Sequence, residues 1–352
     1  MKEFSDKIIS WYQINKRELP WRNSQDPYFV WLSEIILQQT RVDQGLPYYL
    51  KFIEKFPTVQ QLAEASQDEV LRLWQGLGYY SRGRNLHFTA KQIVQEYDGI
   101  FPTHFNDLIK LKGIGNYTAS AISSFCANQA NAVVDGNVYR VLSRLFGIEN
   151  DINLISTQKE IQQLANDLLN KKQPGLHNQA IMEFGALQCV PKSPNCTICP
   201  FADSCFAKLK DKVSVLPFKS KKLKIKERYF NYIVISDDIK TYVKKRENGD
   251  IWEGLYEFPL IENSQELEEK EILSLKEFDK LIGKNRYQIS RISPIFKHQL
   301  THQKIFCRFI EIKVNKLTNI SAFESVSWIM FEKYPKPILI QRFYLNKYLK
   351  IR

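Results

Sequence analysis

No apolar run in this chain approaches the ~20 residues needed to cross a bilayer. The first residues, Met1-Lys2-Glu3-Phe4-Ser5-Asp6, carry no apolar signal-peptide core. The expectation is a cytoplasmic protein without a membrane partner. Internal repeats and low-complexity tracts are also missing, which sets solenoids and disordered tails aside. Cysteine is scarce except in one place. Of six, Cys189, Cys196, Cys199 and Cys205 fall within seventeen residues, and Cys126 and Cys307 stand alone. In a reducing compartment such crowding points to a metal site rather than to disulfides.

What is present is ample apolar material: 352 residues, 44% hydrophobic and 13% aromatic, enough for two globular cores. Lysine and arginine outnumber the acids 50 to 38, a formal charge of +12. That surplus favours a polyanionic partner such as nucleic acid, and it also serves solubility alone. Up to about residue 210, apolar spacing near 3.6 recurs in short stretches such as Val30 to Leu37, Glu69 to Trp74 and Ile161 to Leu169, so a mostly α first domain is expected. Lys208 to Arg228 then carries nine basic residues with little periodicity and reads as a linker. Beyond Tyr229, alternating β-branched and aromatic segments (Tyr229 to Ile235, Lys240 to Arg246, Thr301 to Val314) and helices near Leu275 to Ile282 and Pro337 to Tyr348 predict an α+β domain. The expected division is 1–211, a basic linker 212–227, and 228–352.

Three patterns carry chemistry. In Cys189-x6-Cys196-x2-Cys199-x5-Cys205, one tight loop delivers four thiolates, which suit zinc or a cubane cluster. Zinc modules usually pair two Cys-x2-Cys knuckles across a longer gap, and only one short spacing occurs here, which favours iron-sulfur. Leu111-Lys112-Gly113-Ile114-Gly115-Asn116-Tyr117-Thr118-Ala119 reads as a helix-hairpin-helix, in which Gly113 and Gly115 let backbone N–H groups approach a phosphate. A Gly-x-Gly alone marks only a turn. The third pattern is a pair of acids. Asp135 stands at a predicted helix start, where N–H groups and the dipole keep a carboxylate ionised; a plain N-cap is the simpler account. Glu34 lies inside Phe29-Val30-Trp31-Leu32-Ser33-Glu34-Ile35-Ile36-Leu37, where poor solvation raises its pKa; a buried salt bridge, for example with Arg22, is the blander one. An acid and an anion together can cleave a glycosidic bond through an oxocarbenium-like transition state.

The cysteine spacing is the one carried by endonuclease III and MutY-type glycosylases. The motifs Leu19-Pro20-Trp21-Arg22, Trp31 to Thr40, Gly76-Leu77-Gly78-Tyr79-Tyr80-Ser81-Arg82, the hairpin, Val134-Asp135-Gly136-Asn137 and Asn178-Gln179-Ala180 follow the order of that family, so nearly the whole chain resembles MutY-type adenine glycosylases. The resemblance implies a mostly α, two-lobed helix-hairpin-helix domain with a 4Fe-4S loop, followed by an α+β Nudix-like domain. It implies removal of adenine opposite 8-oxoguanine or guanine in duplex DNA. By that resemblance Glu34 protonates adenine and later activates water, Asp135 stabilises or traps the sugar cation, and Tyr117 and Asn137 support them. Arg22 and Gln179 line the adenine pocket. Leu37, Gln39, Thr40 and Tyr79 probe the stack, and Lys192 in the cysteine loop approaches phosphate.

The rival is an endonuclease III-like glycosylase/lyase, whose lysine would fall at the position held here by Tyr117; a phenol forms no Schiff base, so a monofunctional enzyme is expected. A passive metal-stabilised DNA-binding protein is the other alternative, disfavoured by having both acids in place. Trp252-Glu253-Gly254-Leu255-Tyr256-Glu257-Phe258-Pro259 resembles the Nudix-like signature that endonuclease III lacks. No complete Arg-Glu-x-x-Glu-Glu box follows, so binding rather than hydrolysis is expected of this domain. Phe296 to His302 is similar to the loop that reads 8-oxoguanine. Leu300-Thr301-His302 replaces the Phe-Ser-His frequent in the family, so the hydroxyl of Thr301 and the ring of His302 are kept and an aromatic is lost. A monomer is expected, since a clamp on one duplex site needs no symmetry mate.

Overall fold

The computed structural model describes residues 2–220, 225–247, 249–283, 285–317, 320 and 322–346. Contacts group the chain into two units: Met1–Glu64 with Asn85–Lys221, and Ala65–Arg84 with Lys222–Arg352. The second unit thus takes a stretch, 65–84, that a purely sequential division leaves in the first domain. Part of the basic linker expected at 212–227 falls on 221–224, outside the described residues, as do positions 347–348 of the last predicted helix.

The first unit is helical throughout. Its helix Pro27–Leu37 starts where the Asp26 carboxylate accepts the Tyr28 N–H at 2.9 Å, with proline in the first turn. All but one of its side chains from Tyr28 to Ile36 are buried, and a helix that is apolar nearly all round belongs inside a bundle. Helix Gly136–Phe146 begins on Asp135 and stops at Gly147, whose φ of 75° ends the helix in a left-handed turn. It shares a core with Lys2–Asn15, Ile155–Leu168 and Pro174–Leu187, built from Ile8, Val138, Leu142, Ile161, Phe184 and Phe201.

In the second unit a mixed sheet is sandwiched between helices. β1 (Lys226–Ser236) is central; β2 (Lys240–Lys245), β3 (Tyr256–Glu257), β4 (Leu260–Asn263), β5 (Tyr287–Ile292), β6 (Phe296–Gln299), β7 (Gln303–Val314) and β8 (Glu324–Ser327) complete it. β1 and β7 run parallel in full register from Lys226↔Gln303 to Ser236↔Lys313. Because side chains alternate along a strand, Ile233, Ile235, Ile310 and Ile312 share one face, which helices Glu269–Leu273 and Lys276–Ile282 cover with Ile272 and Phe278. The opposite face is aromatic. There Phe309 stacks on Phe343 with ring centroids 4.1 Å apart and on Tyr232 at 5.4 Å, next to helices Trp328–Lys333 and Ile338–Tyr344.

Segment 65–84 is bound into this unit by polar contacts that no periodicity reveals. Asp68 pairs with Lys245 and accepts from the Tyr256 hydroxyl, Arg84 pairs with Glu253 at 3.0 Å, and Gln75 accepts the Lys336 N–H at 3.1 Å.

Candidate active site

Glu34 opens the last turn of helix Pro27–Leu37 and is 8% exposed. Its Oε2 accepts a hydrogen bond from the Tyr117 hydroxyl at 2.6 Å. Burial pushes the Glu34 carboxyl up to about 7; the Tyr117 hydrogen bond opposes that shift, the nearby Asp135 charge adds to it, and Arg22 opposes it weakly. Tyr117 is delivered by the hairpin. Gly113 turns the chain at φ +79°, where any Cβ would also meet Asn85 Cβ at 2.9 Å, and Gly115 caps helix Asn116–Ala127, placing Tyr117 in its first turn.

Asp135 caps helix Gly136–Phe146. Oδ1 accepts the Val138 N–H at 2.8 Å and Oδ2 the Asn137 side-chain amide at 2.7 Å. Burial raises the Asp135 pKa, while the hydrogen bonds from Val138 and Asn137 and the charge of Arg140 pull it back. The sequence led to the expectation of a carboxylate governed by its helix start alone; desolvation by the surrounding walls is the larger influence. Even so, Asp135 has two strong donors where Glu34 has one, so it is the more anionic of the two.

Both acids line one cleft of about 300 Å³, together with Leu37, Gln39, Tyr117 and Tyr139. Gln39 has φ +53°, in the tight turn that follows Leu37, where the Thr40 N–H bonds to the Leu37 carbonyl at 3.1 Å. Asn137, second in its helix, passes the contact on: Arg140 donates to Asn137 Oδ1 at 2.8 Å, to the Gly185 carbonyl at 2.7 Å and to the Cys189 carbonyl at 2.7 Å.

Arg22 and Gln179 are not among the cleft-lining residues. The Arg22 guanidinium pairs with Glu183 at 2.6 Å, not with Glu34, so the salt bridge considered for Glu34 goes to another acid. Gln179 accepts from the Tyr12 hydroxyl at 2.9 Å. Glu183, which sequence reasoning missed, also receives Arg17 at 2.7 Å. Burial pushes its carboxyl up, yet the hydrogen bonds from the two arginines outweigh that and hold it at about 2. A folded-state pKa below the unfolded value stabilises at pH above about 4.5, and that contribution is lost as pH falls towards 2. Glu183→Gln is therefore expected to destabilise the protein by about 3 kcal/mol at pH 7 and by much less at pH 3. Urea unfolding at both pH values checks this, and an equal cost at each would remove the ion pair as its cause.

Cys189, Cys196, Cys199 and Cys205 line one small void. Arg144 donates to Cys189 Sγ at 3.4 Å and to the Val190 and Pro191 carbonyls at 2.8 and 3.0 Å, a cation that fits a thiolate set. Four thiols gathered round one small void are donors of the kind that zinc and iron-sulfur clusters both take.

In the second unit, β6 and β7 form a hairpin closed by the Leu300 N–H on the Gln303 carbonyl at 2.8 Å. Thr301 and His302 are exposed at its tip. The Thr301 hydroxyl meets the hydroxyl of Tyr79, which stands in segment 65–84 at φ +47°.

Comparison with known proteins bears on this geometry. Residues 32–171 match the HhH-GPD superfamily of base excision DNA repair proteins and residues 231–345 match the NUDIX domain. An adenine DNA glycosylase of Buchnera aphidicola subsp. Baizongia pistaciae is 37% identical over 334 residues, covering 92% of this chain and 90% of the relative. The adenine DNA glycosylase of Homo sapiens is 44% identical over 214 residues, covering 58% of this chain and 39% of that protein. Among solved structures, a thermostable thymine-DNA glycosylase superposes with a TM-score of 0.55 at 27% identity, over 59% of this chain and 96% of its own. A non-covalent endonuclease III-DNA complex gives 0.52 at 21% identity, over 60% and 95%, and shares the fold.

Proposed function

The chain belongs to the adenine DNA glycosylase family, and from that premise we propose that it hydrolyses the glycosidic bond of adenine mispaired with 8-oxoguanine or guanine in duplex DNA, leaving an abasic site. The observation that carries this reading is the single cleft holding a desolvated Glu34 and a hydrogen-bonded Asp135. A stacked adenine cannot be reached, so the base leaves the helix before reaction. Glu34 gives its proton to adenine N7, and the electrons of the C1′–N9 bond depart with the base. Asp135, held by Val138 and Asn137, faces the positive sugar. Glu34, now a carboxylate, takes a proton from the water that adds to C1′. Tyr117 steadies Glu34.

Gly113 and Gly115 contact phosphate, and Leu37, Gln39 and Thr40 fill the gap left by the displaced base; in the second unit Tyr79 probes the stack, and the hairpin tip at Thr301 and His302 reads the oxidised guanine by hydrogen bonds. Cys189, Cys196, Cys199 and Cys205 hold a 4Fe-4S cluster, which when bound ties their loop into one piece and takes no part in bond cleavage. Tyr117 offers no amine, so base release proceeds without strand scission.

The test is release from duplexes that pair adenine with 8-oxoguanine, guanine or thymine. Adenine is expected to be freed opposite 8-oxoguanine and guanine and retained opposite thymine; pyrimidine release, or nicking without added base or heat, would overturn the reading. A broad absorbance near ~400 nm is expected of the purified protein, and a colourless protein carrying zinc would refute the cluster.

A further inference from the structure

The sheet face roofed by Glu269–Leu273 and Lys276–Ile282 is covered along only part of its length. Towards the beginning of β1 and β7 the same face carries Tyr229, Asn231, Phe306 and Arg308, which line a pocket closed by Glu266 and Leu267. Its volume is about 10 Å³, the space of roughly one oxygen-sized group. Arg308 Nη1 is shielded from solvent there and has no hydrogen-bond partner among the described residues. Nor does its guanidinium form an ion pair with any described carboxylate, Glu266 included. The Asn231 amide is already given to Asn263 Oδ1 at 3.1 Å, Glu227 is held by Lys304 at 2.6 Å, and Asp250 and Glu262 are held by Arg228.

A guanidinium nitrogen shielded from water and left unpaired is costly. Water filling the pocket would supply a dipole but no charge, whereas an oxyanion placing one oxygen there would supply both, in the charge-assisted bond that arginine makes best. Beside the pocket the Tyr229 and Phe306 rings stack in parallel, centroids 4.9 Å apart and planes 9° apart, with Lys304 Nζ 4.7 Å from the Phe306 ring. This combination of a shielded arginine nitrogen, a flat aromatic pair and a half-buried lysine matches a phosphate attached to an aromatic base.

We infer that Arg308 receives a phosphate oxygen of a nucleotide in this pocket, a site separate from the acid pair and independent of which base is excised. The phosphate can belong to a free nucleotide or to a DNA strand, and the experiment separates the two sources. Full-length wild-type protein and Arg308→Met are titrated with adenosine monophosphate by calorimetry, and with an undamaged duplex across a range of salt concentrations. A free-nucleotide site predicts that the wild type binds the monophosphate and that Arg308→Met binds it at least tenfold more weakly. A strand-phosphate site predicts that the slope of log affinity against log salt falls by about one in the variant. Unchanged monophosphate binding together with an unchanged slope overturns the inference. Should Arg308→Met fail to fold, Arg308→Gln, which removes the charge but keeps a polar tip, is expected to show the same losses, and wild-type monophosphate binding together with a wild-type salt slope in that variant likewise counts against the site.

Discussion

Glu34→Gln is expected to lower single-turnover adenine release by roughly 10²–10⁴-fold while leaving affinity for the mispaired duplex within a few-fold of wild type. The amide keeps the shape and the contact with Tyr117 but has no proton to give. The pH dependence sharpens the expectation. Burial lifts the wild-type carboxyl to about 7, so the acid form that donates the proton prevails below that pH, and activity falls as pH rises through it. Asp135 must be ionised, which sets an opposing limb at lower pH; the two apparent values belong to the coupled pair. Tyr117→Phe removes a donor that favours the ionised form of Glu34, so the upper limb moves to higher pH as the rate falls. A limb that stays in place in Tyr117→Phe would separate it from Glu34 ionisation.

The same substitution carries a stability signature of opposite sign. A carboxyl whose folded pKa lies above its unfolded value stabilises the fold most at low pH, and that contribution is lost as pH rises from about 4.5 through about 7. Ionising Glu34 inside its apolar wall thus costs on the order of 2–3 kcal/mol at pH 8, a cost the neutral glutamine does not meet. Glu34→Gln is expected to unfold later than wild type at pH 8 and at a similar point at pH 4.5. Stability gained where activity is lost is the pattern of a functional site built against its own folding.

How far the sequence reached depended on whether the signal was local. Glu34 stood out because it interrupts an apolar run, Asp135 because it precedes an amphipathic helix, and the four cysteines because of their spacing. Each is a short-range pattern: the structure buries Glu34 within its helix, starts a helix on Asp135 and gathers the four cysteines round one void. The strands at Tyr229, Lys240 and Thr301 were legible from local composition, their β-branched and aromatic residues; β1 and β2 are buried on both faces along their middles, and only the first half of β7 alternates. What stayed hidden depends on partners distant in the chain. Glu183 is an acid on a helix whose other neighbours are apolar, the same signal that singled out Glu34, but its two arginines lie more than 160 positions away. Helix Glu269–Leu273 is only five residues long, too short for a period to show. Segment 65–84 has ordinary helical periodicity, and its grouping with the C-terminal residues rests on Asp68, Gln75 and Arg84 meeting partners about 170 to 260 residues later.

Arg140 is where local and distant constraints meet, and Arg140→Met is the second substitution expected to have a large effect. One guanidinium satisfies the Cys189 carbonyl, the Gly185 carbonyl and Asn137 Oδ1, and Asn137 in turn holds Asp135. The first cysteine of the loop and the aspartate of the cleft are therefore joined through two residues, Arg140 and Asn137. Methionine fills similar volume but leaves those buried acceptors unpaired, a cost on the order of 3 kcal/mol, and frees Asn137 to turn away from Asp135. Base release is expected to fall roughly 10- to 100-fold, the range seen when a residue that orients a functional group is lost, through kcat and not through duplex affinity. A second readout separates positioning from mere loss of folded protein. Burial raises the Asp135 pKa and Arg140 opposes it, so removing the charge moves the lower limb of the pH profile upwards and narrows the active range from below. A protein that was simply less folded would lose amplitude at every pH with that limb fixed, and such a profile would mark Arg140 as a scaffold residue with no influence on the carboxylate.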